Sequence, residues 1–124
     1  LLLAGCSRGP QTYRIPGRLV YDDGTPVNGA SVVLQTTVAD QVVAARGVAA
    51  SAGRFDLSTF NEGDGVVAGE HDVSVSPVPV PEGSKVPAPA IPQQYWDFAT
   101  SGLKTDITPQ TSEIVITISR TARK

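Results

Sequence analysis

Short apolar runs, rich in valine and isoleucine and separated by Gly, Pro, Asn and Asp, follow one another along the chain from residue 11. No segment keeps a sustained helical spacing of apolar residues, so helix is not expected beyond a turn or two. Alternation is clearest in residues 113–119, where Ile114, Ile116 and Ile118 share one face. The pattern predicts strands over residues 13–21, 30–38, 41–49, 54–58, 70–76 and 113–119.

Turn-forming residues divide these strands. Residues 22–26, Asp-Asp-Gly-Thr-Pro, and the pair Asn28-Gly29 predict tight turns. Residues 61–69 are glycine-rich and acidic, residues 77–92 carry six prolines, and residues 105–110 are polar, so these three segments are expected to be loops or connections. About seven short strands at this spacing predict an all-β fold, an antiparallel Greek-key β-sandwich.

Length and charge narrow the functional classes. The chain has 124 residues, enough for one hydrophobic core, and we expect one domain over residues 12–120 with a short tail at 121–124. Ten Lys and Arg against twelve Asp and Glu give a formal charge of −2, with no basic run long enough to follow a phosphate backbone. Nucleic-acid binding is therefore not expected. No stretch reaches the roughly 20 apolar residues of a transmembrane helix.

The first six residues, Leu-Leu-Leu-Ala-Gly-Cys, form an apolar run that ends in small residues and a cysteine, and the chain turns polar at Ser7. This pattern is typical of the end of an export signal. Residues 3–6, Leu-Ala-Gly-Cys, resemble the bacterial lipobox. The resemblance implies that the Cys6 thiol receives a lipid, that residues 1–5 are removed and that residues 6–11 form a lipidated tether.

A lipid on Cys6 would place the protein on a membrane of the bacterial cell envelope, facing the periplasm or the cell surface. Two or three acyl chains anchor a protein stably, whereas one chain binds only marginally. The alternative is that Cys6 belongs to an ordinary strand, but Ser-Arg-Gly-Pro follows it and continues no strand. Because no positively charged region precedes Leu1, we expect the signal to start upstream.

Residues 17–32, Gly-Arg-Leu-Val-Tyr-Asp-Asp-Gly-Thr-Pro-Val-Asn-Gly-Ala-Ser-Val, resemble the opening of a carboxypeptidase regulatory-like domain, of the transthyretin/prealbumin-like sandwich group. Residues 52–57 are similar to that family's Gly-Arg-Phe strand, and residues 69–75 to its Gly-Glu-Tyr strand. The resemblance spans about residues 15–119. It implies a transthyretin-like sandwich and a non-catalytic surface, adhesion or carrier module, because its motifs position backbone and carry no chemistry.

Catalytic chemistry has few candidates in this sequence. A serine or cysteine hydrolase needs a nucleophile, a base and an orienting group. The one cysteine is assigned to the anchor, and the one histidine, His71, lies in an alternating strand where the family often has tyrosine. No enzyme activity is expected, and we assign no catalytic residue, metal or cofactor.

Four oxygen-bearing residues lie near flexible glycines: Asn61, Glu62, Asp64 and Glu70. Carboxylate and amide oxygens are ligands for Ca²⁺, so a calcium site is one interpretation. Their spacing matches no EF-hand loop. We favour a solvated turn.

Tyr95, Trp96 and Phe98 form the densest aromatic cluster. They could stack against a sugar, since aromatic faces offer a large apolar area, or fill the core of a domain that has few other aromatic residues. We favour the core.

The sequence thus predicts a non-enzymatic, membrane-anchored envelope lipoprotein with a structural or interaction module. The alternative is a carbohydrate- or peptide-binding module that uses the aromatic region or an exposed sheet edge. The expected partners are the membrane, through Cys6, and an envelope protein or glycan.

Overall fold

The computed structural model describes residues 11–78, 83 and 89–121. Cys6 lies outside these residues, as does much of the proline-rich segment. The described chain is mostly β-strand, with one short helix and two 3₁₀ turns, at Ser51–Gly53 and Gln93–Trp96. In chain order the elements are β1 (Thr12–Tyr13), β2 (Gly17–Tyr21), β3 (Ala30–Val38), β4 (Gln41–Ala49), β5 (Arg54–Phe55), β6 (Val66–Val67), β7 (Gly69–Pro77), α1 (Phe98–Ser101), β8 (Leu103–Ile107) and β9 (Ile114–Ile118).

Two principal sheets form the body of the fold. The first has the strand order β4-β3-β7-β8, with every neighbouring pair antiparallel. The second has the order β5-β2-β9, and β1 and β6 make a separate two-stranded ribbon. Inward side chains from both principal sheets belong to one buried apolar cluster, so the two sheets share a core. This mostly β, sandwich-like architecture confirms the predicted class.

Alternation of buried and exposed positions builds the core. The pairing of β3 with β7 sets Val32 opposite Val75 and Leu34 opposite Val73, and all four side chains are fully buried. In β9 the three isoleucines are buried and the two residues between them are exposed, as the sequence predicts. Burial of one such side chain contributes about 1.5–3 kcal/mol relative to exposure. The apolar pattern therefore decides which face of each strand turns inward.

The pairing of β2 with β9 is parallel, which corrects the expectation of wholly antiparallel sheets. Each residue of β2 lies opposite one residue of β9. The ladder continues at both ends, because Ile114 N–H donates to Pro16 O and Asp22 N–H donates to Ile118 O, both at 2.9 Å. All four strands of the other sheet lie between β2 and β9 in the chain. Parallel neighbours need such a long connection.

Two strands occur where the sequence pattern predicted connections. β8 extends into residues 105–110, and β6 lies within residues 61–69. β8 is an edge strand in which only Ile107 is fully buried, and Lys104 Nζ lies 2.7 Å from the Asp72 carboxylate of β7, so its sequence is largely polar. β6 has two residues, too few to show alternation.

The turns follow the sequence signals only in part. The turn at residues 22–26 forms as predicted, with Tyr21 N–H donating to Thr25 O at 2.8 Å. The two residues between β3 and β4 carry no glycine, yet Ala39 and Asp40 have φ values of 50° and 68°. Left-handed backbone is unfavourable for alanine. The nine residue pairs between β3 and β4 hold the turn in that shape.

The helix α1 is a single turn, within the expected limit. The Asp97 carboxylate accepts a hydrogen bond from Ala99 N–H at 2.9 Å, and Gly102 ends the turn with φ of 68°. In the part of the chain that the structure describes, no helix is long and apolar enough to cross a membrane.

Gly65 allows β1 and β6 to approach each other, which generates a stability prediction. Its φ is +100°, its N–H donates to Leu57 O at 2.9 Å, and a Cβ at this position would collide with the Tyr13 carbonyl. We expect Gly65→Ala to lower the free energy of unfolding by about 3 kcal/mol in urea titrations. Gly63→Ala is the matched control, because Gly63 also has positive φ (+72°) but open space around it; its cost should be about 1 kcal/mol. Equal losses in the two variants would contradict this account.

Candidate functional site

Residues 89–103 form the return from the proline-rich segment, and side-chain hydrogen bonds fasten them to the strands. These bonds are Tyr21 OH to Ala90 O (3.1 Å), Ser119 N–H to Tyr95 OH (3.0 Å) and Ser101 Oγ to Val73 O (2.5 Å). They reach β2, the end of β9 and β7, so one short segment is joined to both principal sheets. This attachment creates a cleft on the open side of β9.

The three aromatic residues of this segment have different environments. Tyr95 is 4 % exposed and belongs to the core cluster, as the core interpretation expects. Trp96 is 45 % exposed, and its Nε1–H donates to Ile91 O at 3.1 Å. Phe98 is half-buried. Of the three, only Tyr95 lines the cleft, so the structure does not assemble them into one stacking surface there.

The cleft has a volume of about 360 Å³. This lies within the usual size of small-ligand pockets. Its apolar lining includes Tyr95, Leu103 and Ile118, and its polar lining includes Asp22 and Thr117. These groups offer an apolar surface, a hydroxyl and a carboxylate to a ligand.

The corner next to this cleft carries an ion pair and a ring contact. Arg120 Nη1 lies 2.7 Å from the Asp23 carboxylate, and the guanidinium carbon lies 4.0 Å from the centre of the Tyr21 ring. The hydrogen bond from Thr25 N–H, and then the bond from Arg120, hold the pKa of Asp23 well below its usual range. Both charged side chains are well exposed to solvent, so the pair contributes little to stability. Its effect is to fix the chain that follows β9 against β2.

His71 is buried in β7 and has a structural partner. Its side chain is 1 % exposed, and Nδ1–H donates to Gly69 O at 2.8 Å. Burial lowers the pKa of His71, and the Gly69 hydrogen bond and the carboxylates of Asp106 and Asp72 offset only part of that effect. The imidazole is therefore held neutral inside the fold.

Asp64 organises the loop that the sequence marked as acidic. Its Oδ1 accepts from Thr59 N–H at 2.7 Å, and its Oδ2 accepts from Phe60 N–H and Asn61 N–H at 3.0 Å each. Desolvation raises the pKa of Asp64, but these backbone hydrogen bonds outweigh it and hold the pKa below the ordinary value. Both carboxylate oxygens are thus committed to the loop itself.

The other members of the candidate calcium group, at positions 61, 62 and 70, are exposed. Among the described residues no group of three or more His, Cys, Asp or Glu side chains is arranged to hold a metal ion. The arrangement around Asp64 is that of a turn stabilised by a carboxylate.

The polar lining of the cleft was not predicted from the sequence. Asp22 gave the signal of a turn residue, and Thr117 that of an outward position in a strand. The cleft also includes residues 100–103, which are distant from both along the chain. No local pattern could have grouped them, because the parallel pairing of β2 with β9 brings them together.

The burial of His71 predicts a pH-dependent stability. Because the folded state lowers the pKa of His71 below the unfolded value of about 6.5, the unfolded chain binds the proton more readily. The contribution of neutral His71 to the free energy of unfolding is fully present above about pH 6.5. It is lost as the pH falls from there through the lower, folded pKa, with a slope of at most about 1.4 kcal/mol per pH unit. Urea unfolding at about pH 7.5 and at about pH 5 should show this loss. His71→Gln, which cannot titrate, should lack it; an identical decline in that variant would contradict the assignment.

Removal of the Asp64 carboxylate should loosen the loop at residues 59–65. Asp64→Ala leaves three backbone N–H groups without their acceptor, and we expect a loss of about 1–2 kcal/mol in the free energy of unfolding. Glu62→Ala is the control, since Glu62 is an exposed acidic residue of the same loop, and it should change stability by less than about 0.5 kcal/mol. Thermal and urea unfolding measure both variants. If the two substitutions had the same effect, charge rather than these bonds would be responsible.

Comparison of the chain with protein-family models, with curated proteins and with solved structures finds no match. The resemblance to carboxypeptidase regulatory-like domains therefore rests on the turn and strand motifs of the sequence.

Proposed function

We propose that this chain is a non-enzymatic lipoprotein of a bacterial cell envelope, held on a membrane through Cys6, and that its β-sandwich is an interaction module. The observation that carries the proposal is how the fold uses its polar side chains. His71, Ser101 and Asp64 each hydrogen-bond to backbone atoms of the fold itself. These bonds hold elements together, as expected of a module that presents a surface to a partner.

The details of these bonds support a structural role. Ser101 Oγ donates to Val73 O and accepts from Leu103 N–H at 3.2 Å, so both functions of the hydroxyl are engaged. A serine nucleophile needs a base within hydrogen-bond reach to take its proton. Here the hydroxyl hydrogen is directed to a carbonyl oxygen of β7. A buried imidazole that stays neutral, such as that of His71, is likewise a group that the fold uses for packing.

The finer assignment of the fold to a Greek-key, transthyretin/prealbumin-like sandwich is part of the same proposal. The motifs that suggested it are found in β2, β5 and β7 and in the turn at residues 22–26. Gly53, in the motif at residues 52–57, has φ of +72°, and its N–H donates to Asn28 Oδ1 at 2.8 Å. This bond joins the motif at residues 52–57 to the motif at residues 17–32, so the two motifs stabilise the same part of the fold.

The tether follows from the motif at residues 3–6. A cysteine that becomes the first residue of the mature protein carries acyl chains, each contributing about 0.8 kcal/mol per buried CH₂ group. Residues 6–11 would then hold the sandwich next to the bilayer. Such an arrangement restricts the partner to molecules of the envelope, which include both proteins and glycans.

A second candidate function is carbohydrate or peptide binding at the region of Tyr95, Trp96 and Phe98. The cleft of about 360 Å³ beside Tyr95 favours it, because hydroxyl, carboxylate and apolar groups converge there. This candidate is compatible with the tethered module, since it specifies where the interaction would take place.

Lipidation at Cys6 can be tested with the full-length gene in a bacterial host. We expect the wild-type protein to fractionate with membranes and to incorporate an alkyne-labelled fatty acid, because acyl chains on Cys6 partition into the bilayer. Cys6→Ala should shift the protein to the soluble envelope fraction and abolish labelling. Ser7→Ala, next to the modified residue, is the matched control and should remain on the membrane with its label. Unchanged membrane partition of the Cys6→Ala protein would refute the anchor.

A further inference from the structure

β9 is an outer strand of its sheet, and the backbone groups of two of its five residues face away from β2. Ile114 and Ile118 hydrogen-bond on the β2 side of the strand. Because backbone groups alternate in direction along a strand, the N–H and C=O groups of Val115 and Thr117 point to the opposite, open side. Within the described part of the chain, no hydrogen bond joins these four groups to another residue.

Ser119, the next residue whose backbone N–H points to the open side, shows which kind of group can bind there. Ser119 N–H points the same way and donates to Tyr95 OH at 3.0 Å. A side-chain oxygen thus takes the position that the carbonyl of a neighbouring strand would occupy. The cleft begins beside this bond, and Thr117 is part of its lining. The unpaired backbone groups of Thr117 and the cleft therefore occur in the same place.

The opposite side of the cleft provides a surface for side chains. Residues 94–103 contribute Tyr95 and Leu103, and β9 contributes Ile118. A strand added to a sheet lies about 4.8 Å from its neighbour and sends alternate side chains to either face. One row of such side chains would meet this apolar lining.

We propose that the cleft binds an extended peptide segment of a partner protein, which adds to β9 as a further strand and places a basic side chain against Asp22. The proposal rests on the proposed function and names the site and ligand class of that interaction module. Main-chain hydrogen bonds provide affinity in this mode of recognition, and alternate side chains provide specificity.

The charge of the cleft predicts a basic residue in the bound peptide. Asp22 is the only charged side chain among the described residues that line the cleft. It is exposed, and its own N–H is bonded to Ile118 O, so its position relative to β9 is fixed. Arg120, the nearest described cation in sequence to β9, pairs with Asp23 and covers the Tyr21 ring. A lysine or arginine of the peptide would find Asp22 at the rim.

The outer strands of the four-stranded sheet, β4 and β8, are less suited to this role. On β4, Arg46 exchanges backbone hydrogen bonds with Ser58 at 2.9 and 3.0 Å, which occupies part of that edge. β8 carries Lys104 and Asp106, and charges on an edge strand discourage pairing with another chain. A glycan is less suited to the β9 cleft than a peptide, because Trp96 and Phe98 do not line it.

The test selects ligands from a displayed library of random nine-residue peptides, with the full chain carrying Cys6→Ala so that it stays in solution. We expect the selected peptides to alternate apolar and polar residues and to include Lys or Arg. Amide hydrogen exchange of Val115 and Thr117, followed by NMR, should slow at least about tenfold in the complex, as expected for amides newly held in a strand pair.

Two substitutions separate backbone pairing from side-chain contact. Thr117→Pro removes the N–H on the open side and no N–H that faces β2, and it should weaken binding by about tenfold or more. Thr117→Ala keeps that N–H and removes only the side-chain hydroxyl and methyl group, so it should weaken binding less than Thr117→Pro does. Asp22→Lys should reverse the preference from lysine-bearing to glutamate-bearing versions of one peptide. This reversal stays measurable even if Thr117→Pro unfolds the protein.

The outcomes have distinct consequences. Slowed exchange at Val115 and Thr117 together with the charge reversal supports the site. Failure to select any peptide overturns it, as does binding of an N-acetylglucosamine tetramer to the same amides in place of a peptide. Peptides that bind without changing these amides also overturn it, but they leave the interaction module standing elsewhere on the surface. The tether is tested separately through Cys6, so the failure of one proposal is distinguishable from the failure of the other.

Discussion

The parallel pairing of β2 with β9 joins the first long strand of the described chain to the last. Five residue pairs form this contact, and the ladder extends to Pro16 at one end and to Asp22 at the other. Through it, the buried isoleucines of β9 face the core that the four-stranded sheet closes from the other side. The same pairing leaves one side of β9 without a neighbouring strand, so the open edge is a direct consequence of the contact that completes the sheet.

The space beside that edge results from a change of sheet between β8 and β9. β8 belongs to the four-stranded sheet and β9 to the three-stranded sheet, so residues 108–113 cross from one layer to the other. Thr108 N–H donates to Thr111 Oγ1 at 2.9 Å and tightens that crossing. Ile107 and Ile114 are both buried at the two ends of the connection. Residues 89–103 then return beside the end of β9, held there by bonds from both sheets.

Buried polar side chains in this fold hold segments together through hydrogen bonds to the backbone. Within the described chain, every buried side-chain nitrogen or oxygen has a hydrogen-bond partner. An unpaired buried donor or acceptor costs about 1–3 kcal/mol, a large share of the stability of a small domain. Ser101, Tyr95 and His71 meet this requirement through backbone partners. Their hydrogen bonds thus fix the position of segments that apolar packing alone would allow to slide. The polar groups that remain for a ligand are on the rim of the cleft and on the open edge of β9.

The sequence by itself determined the strands whose alternation is strong and the turn at residues 22–26. The bounds of β3 and β4 agree with prediction, and the inward face of β9 follows from its isoleucines. Alternation reports which face of a strand is buried, and that is a local property of the chain. The tertiary structure decided the parallel partner of β9, the edge strand β8 and the cleft beside Tyr95. Each of these features depends on which distant segments of the chain come into contact. Those contacts form when the two sheets close over a common core, and the local sequence around any one residue does not specify them.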